Sequence, residues 1–412
     1  MSTSLAIAKV RTESEPGSLL AATVGFYFAI RYSFEYLFFQ SNPRVGAAFS
    51  VGLNFLFLAV VVFHSLGPAP STLRSTLRVP CFRPAIAFLL FALCSLLWSA
   101  TISVPVAFAY WCGVVADLAM VVLLFRTGPV DIMSSSVMKG YVWGAVFIAL
   151  VTWASPTMQD LRPGNDDFFS PNAIALILAF GVFLAQFLSR SNRSWNLAAI
   201  LLAVTLLRTL SKTTIVAFIA GEALLLTRDS AINRRKLLTI LLGSGLVVAA
   251  FWRLIQNYFE VYTTTGNQAE TLTGRVGVWD YVWERSLEQP WIGHGFHSFR
   301  NVVPNFGPFE PWHAHNELLQ LFYAYGAVGI LLFFMVYGSF FLQIRRLRLS
   351  SYKAPFYGLL LFIMIRGLGD TDRFELTLPF WLVFLFSSLM THLNPHQLEP
   401  LGLSTPTKDG QS

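Results

Sequence analysis

The chain has 412 residues, 55% of them hydrophobic and only 12% charged. A soluble domain carries about 25% charged residues, so a water-soluble globule is excluded. The formal net charge of +7 fits basic loops on one side of a membrane better than a nucleic-acid partner. The three cysteines, Cys81, Cys94 and Cys112, lie in or beside apolar runs at no metal-ligand spacing and read as packing residues.

Residues 1–17 form a polar tail of mixed charge, and the apolar run that follows is too long for a cleavable signal peptide. Apolar stretches near the ~20 residues needed to cross hydrocarbon then predict about twelve transmembrane helices. Their approximate positions are 18–39, 46–66, 85–102, 104–125, 140–156, 171–189, 195–210, 213–227, 237–256, 317–342, 354–369 and 376–392. Nine helices thus occupy 18–256, a large polar loop follows at 257–316, three helices fill 317–392, and 393–412 form a tail with no core of its own. No internal repeat or low-complexity segment is visible.

Lysine and arginine set the orientation. Arg74, Arg78 and Arg83 follow span two, and Arg190 and Arg193 follow span six. Arg228, Arg234, Arg235 and Lys236 follow span eight, and Arg345, Arg346, Arg348 and Lys353 follow span ten. These alternate loops, and with them both termini, are expected in the cytoplasm of a bacterial inner membrane. The opposite loops carry Asp160, Asp166 and Asp167, or Asp370, Asp372 and Glu375. The long loop falls on this outer, periplasmic side.

Charges inside the spans are few. Arg31 and Glu35 stand at i and i+4 and can pair on one helix face. Asp117 and Glu222 have no evident local partner. In a transporter they would be ion-coupling candidates, and hydrogen bonding inside the bundle is the structural alternative.

The long loop holds His294, His297, His313 and His315, with Trp279, Trp283, Trp291 and Trp312. Arg275–Gln289 has helical periodicity, with Val276, Trp279, Trp283 and Leu287 on one face and Pro290 as its stop. Such a helix either lies on the membrane surface or offers aromatic faces to sugar rings. The segment WHAHN, Trp312 to Asn316, runs directly into span ten. Its His-x-His pair lacks the further ligands a metal would need, and no HExxH supplies them. A neutral imidazole at a membrane boundary suits general-base work. Cations also gather at the outer ends of spans, against the usual bias: Arg208 and Lys212 across the turn RTLSKTT, Arg253, Arg275, Arg366 and Arg373. Pairing with the outer acids accounts for some. A fixed anionic ligand such as a diphosphate accounts for others. If one helix ran on from Arg208 to Lys212, the two would stand about 6 Å apart along its axis.

Four motifs, in this order, resemble the O-antigen ligase and Wzy-type polysaccharide polymerase superfamily. They are SPNAIALILAF (Ser170–Phe180), LLRTLSKTTIVAF, TGRVGVWDYVWERSLEQPWIGHGFHSF, and WHAHNELLQLFYAYGAVGILLFF. They carry a Pro-Asn span opening, a Ser-Lys turn, Gly-Arg with Trp four residues on, Pro-x-x-Gly-x-Gly, His-Asn, and Gly-x-x-Gly. The resemblance covers roughly 165–392, and its wording is most similar to exopolysaccharide polymerases. It implies an all-helical GT-C-like membrane bundle and a metal-independent glycosyltransferase without cofactor. The expected donor is an undecaprenyl-diphosphate-linked oligosaccharide. The expected acceptor is a sugar hydroxyl on another lipid-linked repeat (polymerase) or on a lipid A core (ligase), and a chain-length regulator is a candidate partner. Carried over by motif, His315 is the expected base and Arg275 the second catalytic residue. Lys212, Arg208, His313, Asn316, Trp279 and Arg366 are expected to bind substrate. Lys212 stands where many ligases have Arg, and Lys makes no bidentate phosphate contact. A transporter or flippase of lipid-linked sugars is the alternative, and it predicts repeats that the sequence lacks. An assembly factor would need coiled-coil patterning, also absent.

Overall fold

The computed structural model describes residues 16–39, 43–67, 78–155, 157–158, 161–164, 169–229, 234–264, 272–300, 302–306, 311–347, 350–371 and 379–393. Arg74, Asp160, Asp166, Asp167, Arg348, Asp372, Arg373 and Glu375 lie outside the described residues, as do the side chains of Glu35 and Lys236. Both expected tails fall outside them almost entirely.

Among the described residues the fold is all-α. The helices are α1 (Pro16–Phe38), α2 (Pro43–Ser65), α3 (Phe82–Ser95), α4 (Val104–Thr127), α5 (Val130–Ala154), α6 (Pro171–Ser189), α7 (Trp195–Arg208), α8 (Lys212–Arg228), α9 (Arg234–Ala250), α10 (Trp252–Thr264), α11 (Leu272–Ser286), α12 (Glu317–Arg346), α13 (Ser350–Gly367) and α14 (Phe380–Leu393). Each expected span overlaps helix, but 237–256 falls across α9 and α10, and α3 ends at Ser95, seven residues short of the expected end of its span. By length and composition α2, α4, α5, α6 and α12 are each sufficient to cross a bilayer, and α9 with α10, bent by 54°, makes a sixth candidate. The protein is therefore a polytopic helical membrane protein. α1, α3, α7 and α14 contribute shorter apolar stretches.

The core is one continuous apolar cluster centred on α5, α6 and α14, with α1, α4, α12 and α13 around it. Two acids inside the bundle are engaged across helices. Arg31 on α1 meets Asp117 on α4 at 2.6 Å, and Gln186 on α6 donates to Glu222 on α8 at 3.0 Å. Asp117 and Glu222, without a local partner in sequence, thus find one on another helix, as charges in an apolar bundle must.

Three local features position the outer face. Ser170 caps α6 by accepting from the Ala173 amide at 3.3 Å, and Pro171 follows at the first helical position. Asn172, next in the chain, lies 2.6 Å by its Oδ1 from Ser211 Oγ, so the Pro-Asn opening and the Ser-Lys turn are one junction. Second, α8 and α13 cross at glycines. A Cβ on Gly221 would sit 2.7 Å from the Gly358 carbonyl oxygen, and one on Gly358 would sit 2.8 Å from that of Gly221. This close crossing brings the start of α8 against the end of α13, where Thr213 meets Gly369.

Third, α12 is broken at Gly326 (φ 61°, ψ −157°). The loop segment Pro290–Gly295 fills the break. His294 and Gly295 donate their amides to the Tyr323 and Ala324 carbonyls at 2.9 and 2.8 Å. In return Ala327 and Val328 donate to the Pro290 and Trp291 carbonyls at 2.8 and 3.1 Å. Non-helical backbone at a membrane span survives only where protein satisfies it, and these four bonds do that. They account for the Pro-x-x-Gly-x-Gly and Gly-x-x-Gly motifs together: Gly326 alone can take this conformation, and the two strands of chain approach too closely for side chains.

Candidate functional site

The site assembles where α11, the segment 311–316, the start of α12 and the end of α13 meet. α11 turns Val278 and Val282 inward, packing with Phe299, Val303, Ala314 and Tyr323 in a small second core. The expected stripe is thereby left largely open: Val276, Trp283 and Leu287 are all more than half exposed. Trp279 sits at its edge and donates its indole N–H to the Ala314 carbonyl at 2.7 Å. One bond thus ties α11 to the His-x-His segment.

Asn316 ends that segment. Its Oδ1 caps α12 by accepting from the Leu319 amide at 3.0 Å, and its Nδ2 donates to the Leu368 carbonyl at 3.1 Å. Gln320 accepts from the Ala314 amide at 2.8 Å. His315 is thereby forced into left-handed backbone (φ 51°), an uncommon state for a non-glycine residue and one that clusters at functional sites. The His315 amide donates to Nδ1 of His313 at 3.2 Å, which makes that nitrogen an acceptor. The two imidazoles meet edge to face with centroids 4.1 Å apart.

Asp370 is the residue that sequence reasoning left unassigned. Its Oδ1 lies 3.5 Å from His315 Nδ1. Its Oδ2 accepts from Arg366 at 3.1 Å, and Oδ1 accepts from the Thr371 amide at 3.0 Å. Burial alone would raise its pKa, but the Arg366 charge, with the His315 and His313 imidazoles beside it, outweighs it and holds the carboxyl well below the usual range. The signal present in sequence was the i,i+4 spacing of Arg366 and Asp370. Nothing local linked either to His315, 55 residues upstream of Asp370 (370 minus 315).

The expected cations separate into two groups. Arg275 donates to the Gly369 carbonyl at 2.8 Å, one residue from Asp370. Lys212 begins α8 beside Thr213, which touches the same Gly369, and its ammonium lies 5.4 Å from the centre of the Tyr258 ring on α10. Arg275, Arg366, His313, His315 and Asn316 therefore converge on one turn, and Lys212 enters α8 at its edge with its ammonium turned to Tyr258. Arg208 does not point there in this structure. It donates to the Thr152 carbonyl at 3.0 Å and stacks over Trp153 at 4.7 Å, on α5. The continuous helix needed to place it under Lys212 is absent, because α7 stops and Leu210 adopts positive φ (53°). His294 and His297 are engaged by their surroundings. His294 Nε2 meets the Arg285 carbonyl at 2.8 Å. His297 stacks on Tyr110 and meets Thr101 Oγ1 at 3.1 Å.

Beside the turn opens an apolar cleft between α6, α12 and α13, lined by Leu176, Phe180, Phe333, Phe362 and Ile363 and closed by Glu317 and Arg366 at its polar end. By distance, His313, His315 and Asp370 could hold a cation, since their ligand atoms lie within 4.8 Å of one another.

Residues 197–334 match the family model described as O-antigen ligase, and this stretch contains the Ser-Lys turn, α11 and both histidines. The chain is 26% identical over 321 residues to the exopolysaccharide production protein ExoQ of Rhizobium meliloti (strain 1021), covering 69% of this chain and 71% of that protein. It is 27% identical over 163 residues to a "Putative polysaccharide ligase" of Rickettsia conorii, covering 36% and 39%. A third relative, from Rickettsia felis and with the same description, is 26% identical over 104 residues, covering 23% and 26%. The chain thus spans well under half the length of the rickettsial relatives.

Proposed function

Residues 197–334 place the chain in the O-antigen ligase and Wzy-type polymerase superfamily, and from that premise we propose a membrane glycosyltransferase that polymerises a lipid-linked oligosaccharide at the periplasmic face of a bacterial inner membrane. An enzyme of polysaccharide assembly is what the family establishes. The donor, the side of the membrane and the residue roles are our reading.

The observation that carries the reading is the chain Arg366–Asp370–His315 at the polar end of an apolar cleft. The cleft suits a polyisoprenyl tail, and the turn beside it suits the diphosphate and the sugar attached to it. Transfer breaks the bond from anomeric carbon to diphosphate oxygen and forms one to an acceptor hydroxyl oxygen. The diphosphate leaves with the electron pair, and the hydroxyl proton goes to a base. His315 takes that proton on Nε2. Asp370, facing Nδ1, fixes the tautomer and stabilises the imidazolium, as a carboxylate does for any His base. Arg275 and Lys212 neutralise charge that develops on the diphosphate, a leaving group that needs no proton. His313 and Asn316 hold His315 in place, and Trp279 holds the segment to α11. Our reading keeps the centre metal-independent, and the engagement of one Asp370 oxygen by the Arg366 charge supports it.

Incubation of the purified full-length protein with lipid-linked repeat units alone tests this. A ladder of polymer that disappears in His315→Ala, with lipid-linked units accumulating, is the expected result. General-base loss costs about 10²–10⁴-fold. No ladder, but transfer to an added lipid A core acceptor, identifies a ligase. Full activity in His315→Ala, with His313→Ala inactive, overturns the assignment within the pair.

A further inference from the structure

The part of the loop around Arg300 is unused by the mechanism above. Arg275, Arg285 and Arg366 each donate to an acceptor: the Gly369 carbonyl, Glu288 and Asp370. Arg300 has no such acceptor among the described residues, although its Nε is buried. Its guanidinium carbon instead lies over Trp312, 4.1 Å from the ring centre. Leaving a buried charged donor without an acceptor is costly, so a stacked arginine held this way is poised for an anionic group from outside the chain. Its planar fork matches a carboxylate in two parallel hydrogen bonds.

The surroundings suit a sugar. Trp312 directly precedes His313. On the other side, the turn after α3 is laced to the loop: the Phe296 amide donates to Ser95 Oγ at 2.9 Å, Ser99 Oγ to the Phe296 carbonyl at 2.6 Å, and the Ala100 amide to the His294 carbonyl at 2.9 Å. These bonds bring Tyr110 of α4 face to face with His297, with centroids 5.1 Å apart and planes 16° apart. Flat aromatic surfaces of this kind accept the apolar faces of sugar rings. Burial, and next to it the Arg300 charge, lower the His297 pKa to about 4. The stack is therefore neutral at ambient pH, and Arg300 supplies the local charge.

We propose that Arg300 and Trp312, with the Tyr110–His297 stack, form a glycan subsite that selects a sugar residue bearing a carboxylate. This rests on the glycosyltransferase reading and adds the substrate class. The diphosphate is a second source of anionic oxygen, but its place is at the cleft, whose polar end is built by α12 and α13. The residues of the proposed subsite come from α4 and the loop.

The test is binding, without any transfer step, to full-length protein in detergent micelles. The probes are glucuronyl-glucose, its neutral counterpart cellobiose, and farnesyl diphosphate. The acidic disaccharide is expected to bind at least about tenfold more tightly than cellobiose. Arg300→Gln is expected to erase that preference while farnesyl diphosphate binding stays unchanged, and Arg300→Lys to retain part of it. Trp312→Leu weakens both disaccharides. Equal binding of the two disaccharides by the wild type overturns the proposal, as does a preference that survives Arg300→Gln. Loss of farnesyl diphosphate binding in Arg300→Gln overturns it in favour of a diphosphate role. The polymer assay on His315→Ala reports separately on the parent reading.

Discussion

Replacing Asp370 by Asn removes one negative charge at nearly constant shape, and the structure sets the scale of the effect. An imidazolium on His315 would face this carboxylate at 3.5 Å, an attraction of about 5 kcal/mol at an effective dielectric of ~20. Arg366, on the other carboxylate oxygen at 3.1 Å, opposes part of that gain, and the amide dipole of Asn retains some of the contact. About 2 kcal/mol of transition-state stabilisation then goes, roughly 30-fold in kcat. The loss should be smaller than in His315→Ala, since the base itself remains. Because Asp370 stays ionised far below neutral pH, its own titration adds no pH dependence to the deficit between pH 6 and pH 9. The assay is polymer formed per minute from lipid-linked repeat units by purified protein at matched concentration. Asp370→Asn also strands a buried Arg366, so a second variant, Asp370→Asn with Arg366→Gln, separates charge stranding from chemistry: it should recover protein yield and remain slow. A wild-type rate from Asp370→Asn, in well-folded protein, would refute the dyad and leave His315 to act without an orienting carboxylate.

Four further outcomes are expected. Gly326→Ala should fail to accumulate or should melt far lower, by more than ~3 kcal/mol, since its Cβ would lie 2.4 Å from the Trp291 carbonyl carbon at a φ of +61°; a normal melting temperature would contradict the splice into α12. For His297, burial and Arg300 put the folded pKa near 4 against 6.5 when unfolded, so the fold refuses a proton the open chain accepts; stability should fall as pH drops from 6.5 and level off below about 4. His297→Phe should flatten that dependence in a pH-resolved melting series. Arg275→Lys should lose most polymer yield while Lys212→Arg keeps it, and Lys212→Ala should cost ~1.5–3 kcal/mol; equal yields from Arg275→Lys, Arg275→Ala and wild type would remove Arg275 from the site. Topology reporters fused near Phe306 should read periplasmic, and those near Arg235 and Arg348 cytoplasmic, with the reverse pattern inverting the membrane orientation.

What could be read from sequence was what depends on neighbours in the chain. The apolar runs opening at 171 and 317 announced α6 and α12, and Pro290 a stop after α11, because periodicity and helix breaks act within a turn or two. The joining of Arg275 to the His-x-His region was visible only through the resemblance. What stayed hidden depends on packing between distant elements. Asp370 reads as one acid among several outer acids until α8 and α13 cross at Gly221 and Gly358 and set its turn against His315. The roles of Arg208 and Lys212 look equivalent in RTLSKTT. A single left-handed residue, Leu210, ends the helix between them, and the structure turns Arg208 toward α5 and Lys212 toward Tyr258 on α10. The break in α12 was hidden for a different reason. Its apolar pattern runs on unbroken through Gly326, and only the partner segment reveals that the helix gives up its bonds there.

That break bears on how His315 is held. A general base must be fixed before substrate arrives, and a loop residue ordinarily is not. Here the loop carrying the expected base is bonded on both sides to helices of the bundle. Upstream, Pro290–Gly295 exchanges four backbone hydrogen bonds with α12 across Gly326 and is tied to the turn after α3. Downstream, Asn316 caps the same α12 and donates to the end of α13. α11 closes the circuit through Trp279 and Ala314. The strained backbone at His315 is sustained because every segment around it is bonded elsewhere, which is the condition under which such strain persists. It follows that cutting a tie remote from the chemistry should slow the reaction without changing the chemical groups. Trp279→Phe, which keeps an aromatic ring and deletes the N–H bond to Ala314, should lower kcat more than it lowers binding of farnesyl diphosphate. An equal loss in both would mean that Trp279 serves the binding of the lipid diphosphate and does not position the base.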